Sequence, residues 1–202
     1  MSLLSRIPLS KKSRNLSLAV ALLVTSGGIF WWTHSGRGHA IPSIFPLVTA
    51  GDAEGLRSAL AHDHSASKQV DLDGNTALHI AAVVGNAEIA EVLLAGGANP
   101  NAVNYRGETP LQSALGAPRN SEQVVKVLLN AGADPKQKLA RSTSILHVAA
   151  RTVSIDPNEV ALLIKDPDQL EVRDAGGKTP VELAREFNNL RFLSAVSQSA
   201  RN

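Results

Sequence analysis

The stretch 71–102 constrains the fold of this 202-residue chain more than any other part. Two short apolar patterns at helical spacing lie within it, and glycines separate and end them. The first pattern comprises Leu78, Ala81 and Ala82, and the second comprises Ile89, Val92 and Leu93. Gly74 supplies a tight turn before the first helix, and Thr76 offers its hydroxyl as the N-cap. The sequence therefore predicts a helix–turn–helix unit that must stack on similar units to bury its apolar face.

Similar segments recur further along the chain. Residues 107–111 follow residues 74–78 by 33 positions, and residues 144–150 repeat the [S/T]-x-L-H-x-A-A pattern. Residues 177–180 open another copy. The period, the alanine pair and the G-A-[N/D]-P ending occur together, and in this combination they resemble the ankyrin repeat. The resemblance implies an all-α fold, an ankyrin-repeat solenoid of helix–turn–helix units with β-turn or hairpin tips.

The resemblance also assigns structural roles within each repeat. Thr109 with Gln112, and Thr179 with Glu182, fit the capping box, and proline follows each threonine at the first helical position. His79 and His147 share one repeat position. We expect each imidazole to bond to the capping residue or to the adjacent turn backbone. The structural repeat positions are Gly74, Thr76, His79, Gly107, Thr109, His147, Gly177 and Thr179.

The predicted repeat domain covers residues 43–196 and is followed by a polar tail, 197–202. Its units span about 43–70, 71–103, 104–136, 139–170 and 171–196. In the first unit the T-P-L-H segment is missing, which fits a capping unit, and residues 62–69 form a polar insertion. In the fourth unit, we expect Pro167 to stop the second helix. In the last unit, Asn188 or Asn189 is expected to cap a helix bearing Leu190, Leu193 and Val196.

The N-terminal segment differs from the repeats in composition. Residues 1–15 are basic and polar, whereas the 17 residues 16–32 carry no charge. This length is at the short end of the range for a transmembrane helix. Four basic residues precede the apolar run, so the positive-inside rule keeps the N-terminus in the cytoplasm. Trp31 and Trp32 are expected at the far interface, and residues 33–42 form a linker.

Several interpretations of this segment remain open. A retained signal-anchor is favoured because the apolar run is longer than that of most cleaved signals. The protein would then be a single-pass inner-membrane protein with a periplasmic repeat domain, a bacterial membrane-anchored or exported type of ankyrin protein. Cleavage near Ala40, where Gly38 and Ala40 flank His39, would instead release it into the periplasm. A buried core helix or an organelle presequence is the remaining alternative.

Charge and composition exclude several classes of function. After residue 40 the chain carries 15 basic and 18 acidic residues, so the repeats lack the basic footprint of a nucleic-acid binder. There is no cysteine, and therefore no disulfide, zinc finger or thiol nucleophile. No G-x-S-x-G motif, P-loop or triad pattern is present, and no histidine pair has metal-ligand spacing on a predicted helix. The sequence predicts neither an enzyme nor a cofactor or metal site.

The predicted function is a membrane-anchored protein-binding scaffold facing the periplasm or an equivalent space, with the lipid bilayer contacted through residues 16–32. The resemblance implies that another protein docks on the turn tips and inner helices. Tyr105 and Arg106 stand out there, because both residue types are enriched at interfaces. An immunity or inhibitor protein acting on a secreted toxin or hydrolase, or an accessory factor in envelope stress defence, is the alternative. The expected tip residues are Asp73, Asn75, Tyr105, Arg106, Glu108, Arg141, Thr143 and Lys178.

Overall fold

The computed structural model describes residues 43–115, 117, 121–137 and 143–200. The basic N-terminus, the apolar segment 16–32 and the linker 33–42 lie outside the described residues, as does Arg141. Within the part of the chain that the structure describes, none of the helices has both the length and the apolar content needed to cross a bilayer.

The described residues form ten α-helices that alternate between an inner and an outer row. The inner row comprises α1 (Phe45–Ala50), α3 (Ala77–Val84), α5 (Pro110–Ala114), α7 (Ile145–Arg151) and α9 (Pro180–Glu186). The outer row comprises α2 (Ala53–His62), α4 (Ala87–Ala95), α6 (Ser121–Asn130), α8 (Pro157–Leu163) and α10 (Leu190–Ser199). Each helix packs on the next one of its own row and on its partner in the other row. The all-α prediction is confirmed for these residues, which add only short 3₁₀ helices and an isolated β-bridge between Val70 and Thr76.

Alanine fills the contact between neighbouring inner helices. Because its side chain is a single methyl group, the helix backbones can approach closely while Leu, Ile and Val fill the space toward the outer row. The core is one continuous cluster that runs through all the units. The inner-helix alanines with no exposed surface are Ala77, Ala81, Ala82, Ala114, Ala149, Ala150 and Ala184.

In the first, second and last units, the turn between the inner and outer helices contains a left-handed residue followed by a polar cap. Gly85 supplies the left-handed residue in the second unit (φ 76°), and Asn188 supplies it in the last unit (φ 51°). Asn189 is the cap of α10, because its Oδ1 accepts from the N–H of Phe192 at 3.0 Å. Its buried Nδ2 also lies within 3.0 to 3.2 Å of the three carbonyl oxygens at the end of α7, those of Ala149, Ala150 and Thr152. This one side chain therefore holds the last unit on the fourth.

One local prediction about a helix end was wrong. Pro167 does not stop α8, which ends at Leu163 with Ile164 already extended; Pro167 begins a 3₁₀ helix, Pro167–Leu170, capped by Asp166. The last helix bears Leu190, Leu193 and Val196 as predicted, and Leu190 itself is 67% exposed. It is the first residue of α10, so the buried face of that helix starts two residues later, at Phe192.

The stretch predicted as a polar insertion has structure of its own. Residues His64–Lys68 form a 3₁₀ helix, and Ala66 and Ser67 are buried in it. Gln69 then accepts a hydrogen bond through Oε1 from the N–H of Ile44, 3.2 Å away. The segment therefore packs back on the first unit, which the polarity of its sequence did not indicate.

Enlarging an inner-helix alanine tests this stacking. We expect Ala81→Leu and Ala114→Leu each to lower the free energy of unfolding by about 1–3 kcal/mol, because neither position has room for a larger side chain. Urea unfolding of the two variants measures the loss. Ala161→Leu, on the exposed face of α8, is the control and should change stability by less than about 0.5 kcal/mol. Unchanged urea midpoints in both core variants would contradict the packing described above.

Candidate protein-binding face

The tips that precede α3, α5 and α9 are four-residue β-turns. In the second unit, the carbonyl of Asp71 accepts from the N–H of Gly74 at 3.1 Å. The Asp71 carboxylate also accepts from the N–H groups of Asp73 and Asn75, at 2.9 and 2.8 Å. Asn104 and Asp174 organise the third and fifth tips in the same way. These turns fix the direction of the two residues at each tip.

Neighbouring tips are joined directly to one another. The N–H of Tyr105 donates to the carbonyl of Asp73 at 3.0 Å, and Nδ2 of Asn104 donates to Oδ1 of Asn75 at 2.8 Å. The Tyr105 ring lies against Gly74, where an added Cβ would come within 2.6 Å of a ring carbon. The second and third tips therefore form one connected surface.

His79 links two units through both of its ring nitrogens. Nδ1 lies 3.1 Å from the backbone nitrogen and 2.9 Å from the hydroxyl of Thr76, and Nε2 lies 3.0 Å from the carbonyl oxygen of Glu108. Because a carbonyl oxygen only accepts, Nε2 carries the proton and Nδ1 is the acceptor. His147 repeats the arrangement between Ser144 and the carbonyl of Lys178. Neither ring has a nitrogen left for a metal or for proton transfer.

The capping box is complete at one of its two predicted places. Thr179 and Glu182 exchange both hydrogen bonds, at 2.9 and 3.2 Å. At Thr109 only the threonine half forms, with the N–H of Gln112 at 3.3 Å. The buried Oε1 of Gln112 has no hydrogen-bond partner, so the predicted box at this cap is only half formed.

The structure divides the expected tip residues into two groups. Asp73 and Tyr105 are exposed, and the Asp73 carboxylate forms no hydrogen bond or ion pair with any described residue. Apart from Arg141, which lies outside the described residues, the others are half-buried or engaged within the chain. Asn75 bonds to Asp71 and Asn104, Arg106 pairs with Glu108 at 3.0 Å, Lys178 pairs with Glu186, and Thr143 is half-buried beside the start of α7.

Leu72 is the most exposed apolar residue of the tips and was not among the predicted site residues. It is 98% exposed and occupies the same turn position as Tyr105, which is 77% exposed. Aligning the two turns in the sequence would have identified it. Val70 and Val103, each half-exposed, precede them by two residues. We call these four residues the tip patch.

The face beside the tip patch continues along an inner helix. Val83 and Val84, at the end of α3, are both about half-exposed, and Ile80 is partly buried one turn earlier. Among the residues that the structure describes, no group of three or more histidine or carboxylate side chains could hold a metal ion. The chemistry of this face is that of apolar contact beside a single free carboxylate, Asp73.

The contact between Tyr105 and Gly74 can be tested with a matched pair of glycines. Gly74 and Gly177 have the same left-handed φ, 76° and 75°, but nothing lies within 4 Å of a Cβ added at Gly177. Gly177→Ala should therefore lower the free energy of unfolding by about 1–2 kcal/mol, from backbone strain alone. Gly74→Ala should lower the free energy of unfolding by at least about 1 kcal/mol more, because the Tyr105 ring must move. Equal losses in urea unfolding would contradict a close ring contact.

The environment of His79 predicts a pH dependence. Burial lowers the pKa of His79 and outweighs the carbonyl of Glu108 and the nearby carboxylates, which raise it. The unfolded state, with a pKa near 6.5, then binds the proton more readily than the folded state. The free energy of unfolding should therefore fall as the pH drops below about 6.5.

Replacing the histidine isolates this effect. His79→Gln keeps a hydrogen-bonding side chain at the cap and cannot titrate, so its stability should fall less steeply between pH 7 and pH 5. Asn130→Gln, an exposed amide substitution that changes no titratable group, gives the control and should keep the slope of the parent chain. Urea midpoints at several pH values measure all three proteins, and identical slopes for His79→Gln and the parent would refute the assignment.

Comparison with known proteins agrees with the repeat architecture. The family model for ankyrin repeats (3 copies) matches residues 47–139. The chain is 39% identical over 124 residues to cyclin-dependent kinase 4 inhibitor B of Rattus norvegicus. The matched region covers 59% of this chain and 92% of that protein. It is 36% identical over 128 residues to cyclin-dependent kinase inhibitor 2A of Homo sapiens, covering 61% of this chain and 79% of the relative. The repeats, their inter-unit bonds and these similarities together show that the chain belongs to the ankyrin-repeat family.

Proposed function

We propose that this chain is a membrane-anchored scaffold that binds another protein through the tip patch and the adjoining face of α3. The observation that carries the proposal is the exposure of Leu72 and Tyr105 at neighbouring tips. Clustered apolar side chains that stand in water mark interaction surfaces, and tyrosine is enriched among the residues that dominate binding energy.

The rigidity of the tips supports the same proposal. Each tip is fixed by its own turn, by the Asp71 or Asn104 side chain, and by bonds to the next tip. Binding therefore requires little ordering of the backbone, so less of the contact energy is lost to entropy. The free Asp73 carboxylate beside Leu72 adds a charged group that can fix the orientation of a partner.

The membrane anchor is part of the proposal because of the sequence of residues 16–32. This segment is uncharged and follows four basic residues, so the positive-inside rule places the N-terminus in the cytoplasm and the repeats in the periplasm or an equivalent space. Cleavage near Ala40 is the alternative, and it would leave the repeats free in the same compartment.

An inhibitor of another protein's activity is a second candidate function. The observation that favours it is similarity to relatives whose names describe them as inhibitors of cyclin-dependent kinases. In the proposed compartment, the target would be a secreted toxin or hydrolase, and the tip patch would occlude it. For an inhibitor, adding the chain should abolish the activity of that enzyme stoichiometrically. A scaffold or an envelope-stress accessory factor would leave the activity intact, so this measurement distinguishes the roles.

Photo-crosslinking in cells tests the binding face. A photoreactive residue in place of Leu72 should crosslink to one defined protein, because this side chain of the tip patch is 98% exposed. Tyr105→Ala in the same chain should reduce the yield at least about fivefold, as expected for loss of an aromatic anchor worth at least about 1 kcal/mol. The same photoreactive residue at Ala161, on the exposed side of α8, is the control. Equal products from both positions would contradict a specific site.

Reporter fusions test the membrane topology separately. Alkaline phosphatase fused after residue 202 should be active, because this enzyme matures only outside the cytoplasm. A cytoplasmic reporter at the same place should be silent. The opposite pattern would overturn the proposed compartment and leave the binding face untouched.

A further inference from the structure

The turns that follow the inner helices form a second edge of the stack, at the opposite end of those helices from the tips. At the fourth and fifth units this edge carries three exposed apolar side chains. Val153, in the turn after α7, is 56% exposed. Phe187 and Leu190, on either side of the turn after α9, are 42% and 67% exposed. We call these three residues the turn patch, and none of them belongs to the tip patch.

Hydrogen bonds between the two turns bring the turn patch together. Nδ2 of Asn189 donates to the carbonyl of the residue before Val153, 3.1 Å away. Nη1 of Arg191 donates to the carbonyl of the residue after Val153, 3.4 Å away. Leu190 lies between these two donors in the chain. The apolar residue of one turn is therefore held beside the apolar residue of the other.

The large apolar side chains of the last unit are not required by the stacking. Placed by the left-handed residue of each turn, Phe187 matches Val84 of the second unit and Leu190 matches Ala87. Both units fold into the same helix pair, so a single methyl group is sufficient at the first position of the outer helix. A leucine that stands two-thirds in water at this position contributes little to folding, and its apolar surface is open to a partner.

Arginine side chains flank the turn patch and keep most of their donors free. The guanidinium of Arg151, the last residue of α7, lies over the Phe187 ring, 5.4 Å from its centre. Arg191 bonds to a backbone carbonyl through one nitrogen. A guanidinium has five N–H donors in a planar fork that fits a carboxylate. Each arginine can therefore still bind an acidic side chain.

Positive charge is in excess around the turn patch. The two segments that form it, 151–156 and 185–191, carry three arginines and two carboxylates. One of these carboxylates, Glu186, is already paired with Lys178, and the other, Asp156, caps α8. None of the three arginines forms an ion pair with a described residue. An anion that approaches the apolar surface therefore meets unpaired cations. The three arginines are Arg151, Arg185 and Arg191.

We infer that the turn patch is a second protein-binding site, which takes an apolar side chain flanked by aspartate or glutamate from an exposed segment of a partner. The apolar side chain covers Leu190 and Val153, and the flanking carboxylates bind Arg151 and Arg191. Aromatic residues and arginine are both enriched at protein interfaces. The protein can then hold one partner on its tips and another at the opposite edge of the stack.

An anionic membrane is the other surface that basic and apolar residues attract. Segments that bind anionic lipids typically cluster about four to eight lysines and arginines, whereas the turn patch has three arginines beside two carboxylates. Bidentate recognition of a carboxylate needs no more than one arginine. The composition of the patch therefore favours an acidic protein segment.

Titration with short peptides tests this site directly. The probes are glutamate–leucine–leucine–glutamate and lysine–leucine–leucine–lysine, both with blocked ends, added to the full-length chain in nanodiscs of neutral lipid. Backbone amide NMR shifts should change at Val153, Leu190 and Arg191 with the acidic peptide. The basic peptide should bind at least about threefold more weakly, and added salt should reduce the difference. Glutamate–serine–serine–glutamate should also bind more weakly, because it lacks the apolar contact.

Matched variants separate the two parts of the recognition. Leu190→Ala, which introduces the residue of the second unit, should weaken the acidic peptide about two- to fivefold. Arg191→Gln should weaken it similarly and reduce the preference for acidic over basic peptide. Arg57→Gln removes the same charge from an exposed position of α2 and is the control, which should bind as the parent does. Leu190 and Arg191 are exposed, so the urea midpoints of both variants should stay near that of the parent.

Three results would overturn the inference. They are equal binding of the acidic and basic peptides, unchanged binding in both Leu190→Ala and Arg191→Gln, and the absence of any shift at the turn patch. Vesicles of phosphatidylserine that cause these shifts where the acidic peptide causes none would assign the patch to a membrane surface instead. Each of these outcomes leaves the tip patch untouched, because the two sites share no residue.

Discussion

The contact between successive units is the interaction on which the rest of the structure depends. The helices are only 5 to 10 residues long, too short to be stable alone in water. Each becomes stable because alanines such as Ala81 and Ala149 let the next inner helix approach while leucines fill the space toward the outer row. Stability is therefore a property of neighbouring pairs of units, and the ends of the stack need special devices. Asn189 is such a device, since its buried amide holds the last unit on the carbonyl end of α7.

A polar chain of bonds runs beside this apolar stack and positions the proposed binding face. His79 joins the cap of α3 to the turn of the third unit, and Asn104 joins that turn to Asn75. These side chains are buried or half-buried, so each bond left unmade would cost more than a bond on the surface. The consequence is that Leu72 and Tyr105 stand on a surface whose backbone is fixed. Structure and proposed recognition are thus coupled: the residues proposed to bind a partner are held by side chains whose hydrogen bonds are made within the chain.

Predictions that depended on spacing within one repeat were more successful than those that depended on one residue. The pairing of threonine with the residue three positions later correctly predicted where the inner helices begin. The spacing of the glycines correctly predicted the turns. Pro167 failed as a stop signal because the chain leaves the helix three residues earlier, and the proline serves equally well at the first position of a 3₁₀ helix. Leu190 lies in the predicted helix but outside the core, because the first residue of a helix is set by its cap, and the buried face begins only where the helix meets its neighbours.

The sequence alone determined the repeat register, the helix type and the turn positions, because these follow from local spacing and from the conformations open to glycine, proline and the capping residues. The tertiary structure decided which of the remaining side chains are available. Arg106 and Glu108 neutralise each other, whereas Asp73 is left free, and no local pattern distinguishes these outcomes. The same holds for Gly96, where an added Cβ would lie 2.7 Å from Cδ1 of Leu60, a residue 36 positions earlier that comes beside it only after the outer helices pack. The exposure of a side chain and the space beside it are set by contacts between units, so both are defined only once the units are stacked.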